Sequence, residues 1–367
     1  MTGLIPAAWA PLIPFVKTRL ALDNGSLGLL LLCLGLGSMI AMPVTGALLP
    51  RIGPKRAILT GGTLFVLALP LLVLLGNPFA VAAVLALVGG SLGTVDVAMN
   101  VQGVVVERAS GRSLMSGFHG QYSFGGIVGA ASASLLLTGA HPNPLFAASA
   151  ISAGGLLVLA AAAGGLMARI DESDAEEGPL FVMPHGLVLF LGALCFLSFM
   201  AEGSVLDWSA VLLKSERGAS PALAGMGFTV FACAMTASRL SGDRIRAVLS
   251  ERTMLFGGGT IAAAGFLLAI LAPSAIATLF GFALVGVGAS NVVPVLMTIT
   301  GRTRAMPSGL AIAAVTTLGY AGVLAGPALV GFTARLAGLQ IGFAIPLLAM
   351  VIVAASFAVG STANRTD

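Results

Sequence analysis

The sequence predicts an all-α polytopic membrane protein, twelve transmembrane helices in two six-helix bundles, and three observations lead there. Hydrophobic residues make up 57% of the 367-residue chain and charged residues only 9%, against about 25% charged in soluble domains. The apolar runs, about 18 to 27 residues each, are long enough at 1.5 Å per residue to cross a hydrocarbon core of roughly 30 Å, and they lack the alternation of a membrane barrel. Basic residues, finally, concentrate in every second connection, as they do in helical membrane proteins.

The runs fall at 1–16, 26–49, 57–76, 79–106, 114–139, 144–168, 186–213, 221–241, 253–272, 274–300, 308–334 and 339–361, separated by Gly, Pro and charged residues. One set of connections carries Arg51, Lys55 and Arg56, Arg108 and Arg112, Arg169, then Arg239, Arg244, Arg246 and Arg252, Arg302 and Arg304, and Arg365. The opposite set holds only Lys17, Arg19, Lys214, Arg217 and Arg335. The richer set belongs on the cytoplasmic side of an inner membrane, which places both termini in the cytoplasm. The first run is short, about 24 Å at helical rise before Lys17, and holds Pro6, Pro11 and Pro14. Either the true start lies upstream or the first helix is shortened and broken. No basic region precedes it, which argues against a signal peptide.

The acidic stretch Arg169–Pro179 divides six runs from six, so the expected organisation is an N-terminal bundle over 1–168, a cytoplasmic linker over 169–185 and a C-terminal bundle over 186–367. Ala86-Leu87-Val88-Gly89 recurs as Ala283-Leu284-Val285-Gly286, each in the fourth run of its half. Trp9 and Trp208, the only tryptophans, each lie in the first run of a half, shortly before Lys17 and Lys214. They fit either an internal repeat or anchoring at the membrane interface, and each is also a candidate aromatic platform for a sugar ring.

Several function classes drop out. A formal charge of +4, dispersed along the chain, gives no nucleic-acid footprint, and Cys33, Cys195 and Cys233 lack metal-ligand spacing. There is no phosphate-binding Gly-x-x-x-x-Gly-Lys-Ser/Thr run and no nucleophile-base-metal grouping, so neither an enzyme nor a nucleotide-driven pump is expected, and no cofactor.

Polar groups within the runs mark the candidate site. Gly89, Gly93, Asp96, Asn100, Gly103 and Glu107 recur at intervals of four and three and so share one face of the fourth helix. Small residues there permit close helix approach, and a carboxylate at membrane depth costs roughly 2.5–3.5 kcal/mol on insertion scales unless it faces protein or water. His119 and Tyr122 on the fifth helix fall at comparable depth, which makes Asp96, Asn100, His119 and Tyr122 a possible cluster. Asp96 then reads either as a group that loads and releases protons or as a hydrogen-bonded packing residue. In the second half Glu202 could line a cavity with Asn291, Thr316, Thr317 and Tyr320, or bond across helices without touching cargo, while Asp207 is expected at an outer gate or interface. Arg239 and Asp243, four residues apart, suggest a paired latch. Glu107 with Arg108 and Arg112 reads as the solvated end of its span or part of that latch.

Twelve spans, the six-plus-six division and the loop Gly46-Ala47-Leu48-Leu49-Pro50-Arg51-Ile52-Gly53-Pro54-Lys55-Arg56 resemble the major facilitator superfamily over essentially the whole chain. Pro50 stands where that family's loop signature has Asp, whereas the counterpart Arg239-Leu240-Ser241-Gly242-Asp243-Arg244 keeps the acid. Trp9-Ala10-Pro11-Leu12-Ile13-Pro14, Asp96-Val97-Ala98-Met99-Asn100 and Ser116-Gly117-Phe118-His119-Gly120 look like its YbjJ- and MosC-like branch, generally described as sugar- or polyol-type carriers. The resemblance implies a cytoplasmic gate drawn from Arg51, Lys55, Arg56, Glu107, Arg108, Arg112, Arg239, Asp243 and Arg244, with Asp243 taking over what Pro50 cannot do. It implies a monomeric secondary transporter in the lipid bilayer, moving a small polar solute such as a sugar or polyol with protons by alternating access. The alternatives are an exporter of amphipathic compounds on the same fold and a non-transporting receptor or scaffold.

Overall fold

The structure, a computed structural model, describes residues 2–22, 24–137, 143–163, 182–219 and 221–356. Most of the expected linker, with Arg169, and the C-terminal tail with Arg365 lie outside the described residues. Among those residues all regular structure is helical, and the helices fall into twelve segments. The first is broken, as its prolines foretell: α1 (Leu4–Trp9) passes through a 3-10 turn at Ala10–Leu12 into α2 (Ile13–Arg19). Five follow as single helices: α3 (Asn24–Ile52), α4 (Pro54–Leu74), α5 (Pro78–Ser110), α6 (Met115–Leu136) and α7 (Pro144–Ala161). The second half comprises α8 (Gly186–Arg217), α9 (Pro221–Arg246), α10 (Glu251–Leu271), α11 (Ala275–Ala289) leading into α12 (Val292–Arg302), α13 (Ser308–Ala337), and α14 (Leu339–Gly342) leading into α15 (Ala344–Ala355). Eight of the twelve segments are long and apolar enough to cross a membrane by those criteria alone: α3, α4, α5, α7, α8, α10, α11 with α12, and α13.

The loop after the second span is shorter than its sequence suggests. Pro50 and Arg51 are still helical, and Gly53 alone makes the joint to α4, at φ 74° where a side chain would be strained. Pro54 then opens α4, where its missing N–H costs no helical bond.

Two compact units form. The first holds the described residues within 1–106 and 121–183, the second those within 107–120 and 184–367. In the first unit the core is built from α1, α2, α4, α5 and α7 around Ile5, Trp9, Leu12, Phe65, Leu69, Leu85 and Ile151. Serine hydroxyls pin helices to one another: Ser38 donates to Gly89 O at 2.7 Å and Ser152 to Val66 O at 2.8 Å. In hydrocarbon such bonds and close packing take over from the hydrophobic effect as the cause of helix association.

The second unit pairs α8 with α13, α10 with α11 and with α15, and α9 with α11. Phe343 bridges Phe266 and Phe282 at ring separations of 6.2 and 6.0 Å. Arg217, in the last turn of α8, closes the end of α10 by donating to Ala269 O (3.2 Å) and Ile270 O (2.8 Å), carbonyls that would otherwise be orphaned. Helices α10 and α11 touch backbone to backbone: a Cβ on Gly265 would stand 2.6 Å from Gly281 O, and one on Gly281 2.7 Å from Gly265 O. Gly281→Val is therefore expected to lower stability by about 1–3 kcal/mol through overpacking. Thermal unfolding of the purified protein in detergent measures this, and an unchanged midpoint would contradict the contact.

Candidate functional site

Helix α5 carries the first group. Its glycines serve helix contact: a side chain at Gly89 would collide with the backbone of Leu34, and one at Gly93 would come within 2.9 Å of Ser38 O. Thr94 and Thr45 bond hydroxyl to hydroxyl at 3.0 Å along the same α3–α5 contact. One turn further on, the buried Asn100 amide donates to Asp96 O at 2.9 Å and to Asp96 Oδ1 at 3.3 Å. Among the described residues no cation pairs with Asp96, so a neutral amide is what its carboxyl meets. Tyr122 is in the same unit, where its backbone packs on Gly3 of the first span. His119, three residues earlier, belongs to the second unit and bonds Met115 O through Nδ1 at 3.0 Å.

In the second unit a break in the tenth span organises the second group. Pro294 has no N–H to offer Ser290 O and its ring crowds that carbonyl, so the helix ends at Ala289 and resumes at Val292. Arg239 of α9 takes the freed carbonyl, Nε donating to Ser290 O at 3.0 Å. The same guanidinium lies 3.6 Å from Glu202 Oε2 on α8, a pair whose side chains are only 7% and 17% exposed. His119 lies within electrostatic reach of Arg239. Asn291 donates its amide to Ser290 Oγ (2.9 Å) and Ser238 O (3.4 Å). Among the described residues, two buried oxygens of this group, Glu202 Oε1 and Asn291 Oδ1, have no hydrogen-bond partner. Tyr320 stacks edge-on against Phe199 at 6.0 Å, one turn from Glu202. The hydroxyls of Thr316 and Thr317 turn back on their own helix, to Ile312 O and Ala313 O, both at 2.7 Å.

Two sequence expectations are corrected here. Arg239 does not pair with Asp243: it is committed to Glu202 and Ser290, while Asp243 accepts from Ser116 N (3.0 Å) and Gly117 N (2.7 Å). Nor is Glu107 a solvated span end. At 6% exposure it accepts from Leu114 N (2.9 Å), Met115 N (3.0 Å), Thr298 (3.0 Å) and Arg246 (3.3 Å). Four backbone N–H groups at the start of α6, the donors a helix cannot satisfy itself, thus fall to two carboxylates, one from α5 and one from α9. Arg246 and Arg302 join Glu107 to Glu251, the closest of these contacts being Arg302 to Glu251 at 2.9 Å, and Arg108 reaches Gly301 O. From the sequence alone Arg246 and Arg302 read as loop residues, and nothing local points to Thr298 or Glu251. Charged residues at four span ends were the available signal. Arg51, Arg56, Arg112 and Arg244 are exposed, and Lys55 donates to Ala163 O at 3.3 Å.

The two tryptophans are packing residues where they stand. Trp9 is 7% exposed within the first unit's core, and Trp208 lies against Gly331. Asp207, beside it, is exposed.

The family model of the Major Facilitator Superfamily matches residues 2–302. The chain belongs to this superfamily. An uncharacterised MFS-type transporter of Yersinia pestis is 51% identical over 357 residues, 97% of this chain and 92% of its own. The membrane protein MosC of Rhizobium meliloti is 29% identical, covering 96% of this chain and 86% of the relative. Among solved structures, the fucose:proton symporter FucP of E. coli superposes with a TM-score of 0.83 at 16% identity, over 99% of this chain and 95% of that one. The twelve segments are those of the major facilitator fold, and superfamily membership makes the chain a multi-pass transporter rather than an enzyme.

Proposed function

We propose that this transporter moves a small polar solute, with sugars and polyols the first candidates, in step with protons across the inner membrane by alternating access. The observation that carries the reading is the set of ionisable groups at membrane depth. Asp96 is held by a neutral amide, and Glu202 is held by Arg239 at a helix break. Such groups are costly in hydrocarbon and mark ion and substrate paths, and a discontinuous helix is where transporters of this kind place binding groups. That the structural neighbour FucP is a fucose:proton symporter fits the same reading. Glu107 and Asp243, capping α6, would form the cytoplasmic latch, with both termini on that side.

Purified protein in liposomes, with a pH gradient imposed and a panel of sugars, polyols, amino acids and amphipathic drugs offered in turn, tests this. The expected result is uphill uptake of a hydroxylated solute accompanied by proton movement. Drug movement alone would favour the exporter reading, and movement unaffected by the pH gradient would remove proton coupling.

A further inference from the structure

The short connection between α9 and α10 carries apolar side chains in the open. Ile245, Val248 and Leu249 are all exposed, Val248 at 84%. Backbone bonds carry the helical course past the end of α9, since Val248 N and Leu249 N both donate to Ile245 O, at 3.1 and 2.8 Å. The three side chains, spaced by three and four, therefore form one ledge. Ser250 then caps α10, accepting from Thr253 N at 3.2 Å, so the turn is held at both ends. Its charge is one-sided. Arg244, four residues before Val248, and Arg252, four after it, are exposed. The acids beside them are committed elsewhere, Asp243 to the backbone of Ser116 and Gly117, Glu251 to Arg246 and Arg302.

Helix α10 fixes the level of this turn in the membrane. Its 21 residues reach about 31 Å at helical rise, against roughly 30 Å of hydrocarbon. Charge marks both ends: Arg217 donates to Ala269 O and Ile270 O at one, and Glu251 meets Arg302 at the other. A span with no length to spare leaves the turn where hydrocarbon gives way to headgroups. One turn below Arg252 on the same helix comes Phe256, also exposed. Cations at headgroup level with apolar surface at and below them suit a phospholipid with a negative headgroup.

We propose that the α9–α10 turn is a site for anionic phospholipid, with Ile245, Val248 and Leu249 entering the interface and Arg244 and Arg252 attracting the headgroup phosphate. This goes beyond the transport reading and does not depend on it. A soluble protein is the competing occupant of such a ledge; the match between its level and the length of α10 favours lipid.

Depth is tested with Val248→Trp in the full-length protein, reconstituted in phosphatidylglycerol nanodiscs, with wild type supplying the background of Trp9 and Trp208. The added emission is expected to be blue-shifted and quenched more by lipids brominated high on the acyl chain than by those brominated near its end. Emission typical of tryptophan in water, untouched by brominated lipid, would overturn the proposal and give the ledge to a soluble partner. Charge is tested by thermal unfolding in detergent with phosphatidylglycerol, phosphatidylcholine or glycerol phosphate added, because a ligand of the folded state raises apparent stability. Phosphatidylglycerol is expected to raise the midpoint most, and glycerol phosphate, which lacks the chains, hardly at all. Arg244→Gln and Arg252→Gln should each lower the apparent affinity for phosphatidylglycerol about fivefold. Equal stabilisation by the two lipids, equal stabilisation by glycerol phosphate, or an unchanged response in the double variant would each sink the assignment. All three substitutions fall at exposed positions, outside the packed core.

Discussion

Arg239→Met is expected to destabilise the protein by about 3–5 kcal/mol, the usual consequence of removing one partner from a buried ion pair. The guanidinium carries two obligations at once. It faces the Glu202 carboxylate, whose other oxygen has no partner among the described residues, and it satisfies Ser290 O, which Pro294 deprives of its helical donor. Methionine fills comparable volume, so the loss reports electrostatics and hydrogen bonding more than a cavity. Neutralising the stranded carboxylate in Arg239→Met/Glu202→Gln should recover much of that loss, leaving mainly the unsatisfied Ser290 carbonyl. Thermal unfolding of the single and double variants separates the terms, since residues in one network are not additive. A single variant no less stable than wild type would mean that water reaches the pair and that the break in the tenth span is held by something else.

What could be read in the sequence follows the range of the interaction. Features set by neighbours in the chain were legible: the proline-broken first span, the small-and-polar face of α5, and the Asp96–Asn100 pair four residues apart. Pro294 is also in plain view, and the missing donor for Ser290 O follows from counting four residues back, although hydropathy alone makes 274–300 one continuous run. Partners far away in the chain were not legible. Glu107 looked like a solvated end because Arg108 and Arg112 follow it, yet its donors Arg246 and Thr298 are 139 and 191 residues distant. The same local logic pairs Arg239 with Asp243, yet each has its partner on another helix. Spacing reports which face and depth a charge occupies; which charge it meets depends on how the helices pack.

Asp96→Asn is expected to abolish accumulation driven by a proton gradient while leaving solute exchange across the membrane intact. Asparagine has the shape of the carboxyl group and still presents an oxygen to the Asn100 amide, 3.3 Å from Asp96 Oδ1 in the wild type, so the α5 turn should survive. What it cannot do is take up and release a proton. One pH unit is worth about 1.4 kcal/mol per proton, so a one-proton carrier can concentrate its solute at most about tenfold across such a gradient. The variant should level off at equal concentrations inside and out, with uptake no longer answering to pH. Counterflow, in which unlabelled solute inside draws labelled solute in, needs alternating access and binding but no net proton movement, and should persist. Accumulation as high as in the wild type would take the coupling role from Asp96 and direct attention to Glu202, the other carboxylate at membrane depth, with Glu202→Gln in the same assay as the deciding comparison. Loss of exchange as well as accumulation would instead make Asp96 part of the solute site or of the α5 packing, a distinction that the stability of the purified variant resolves.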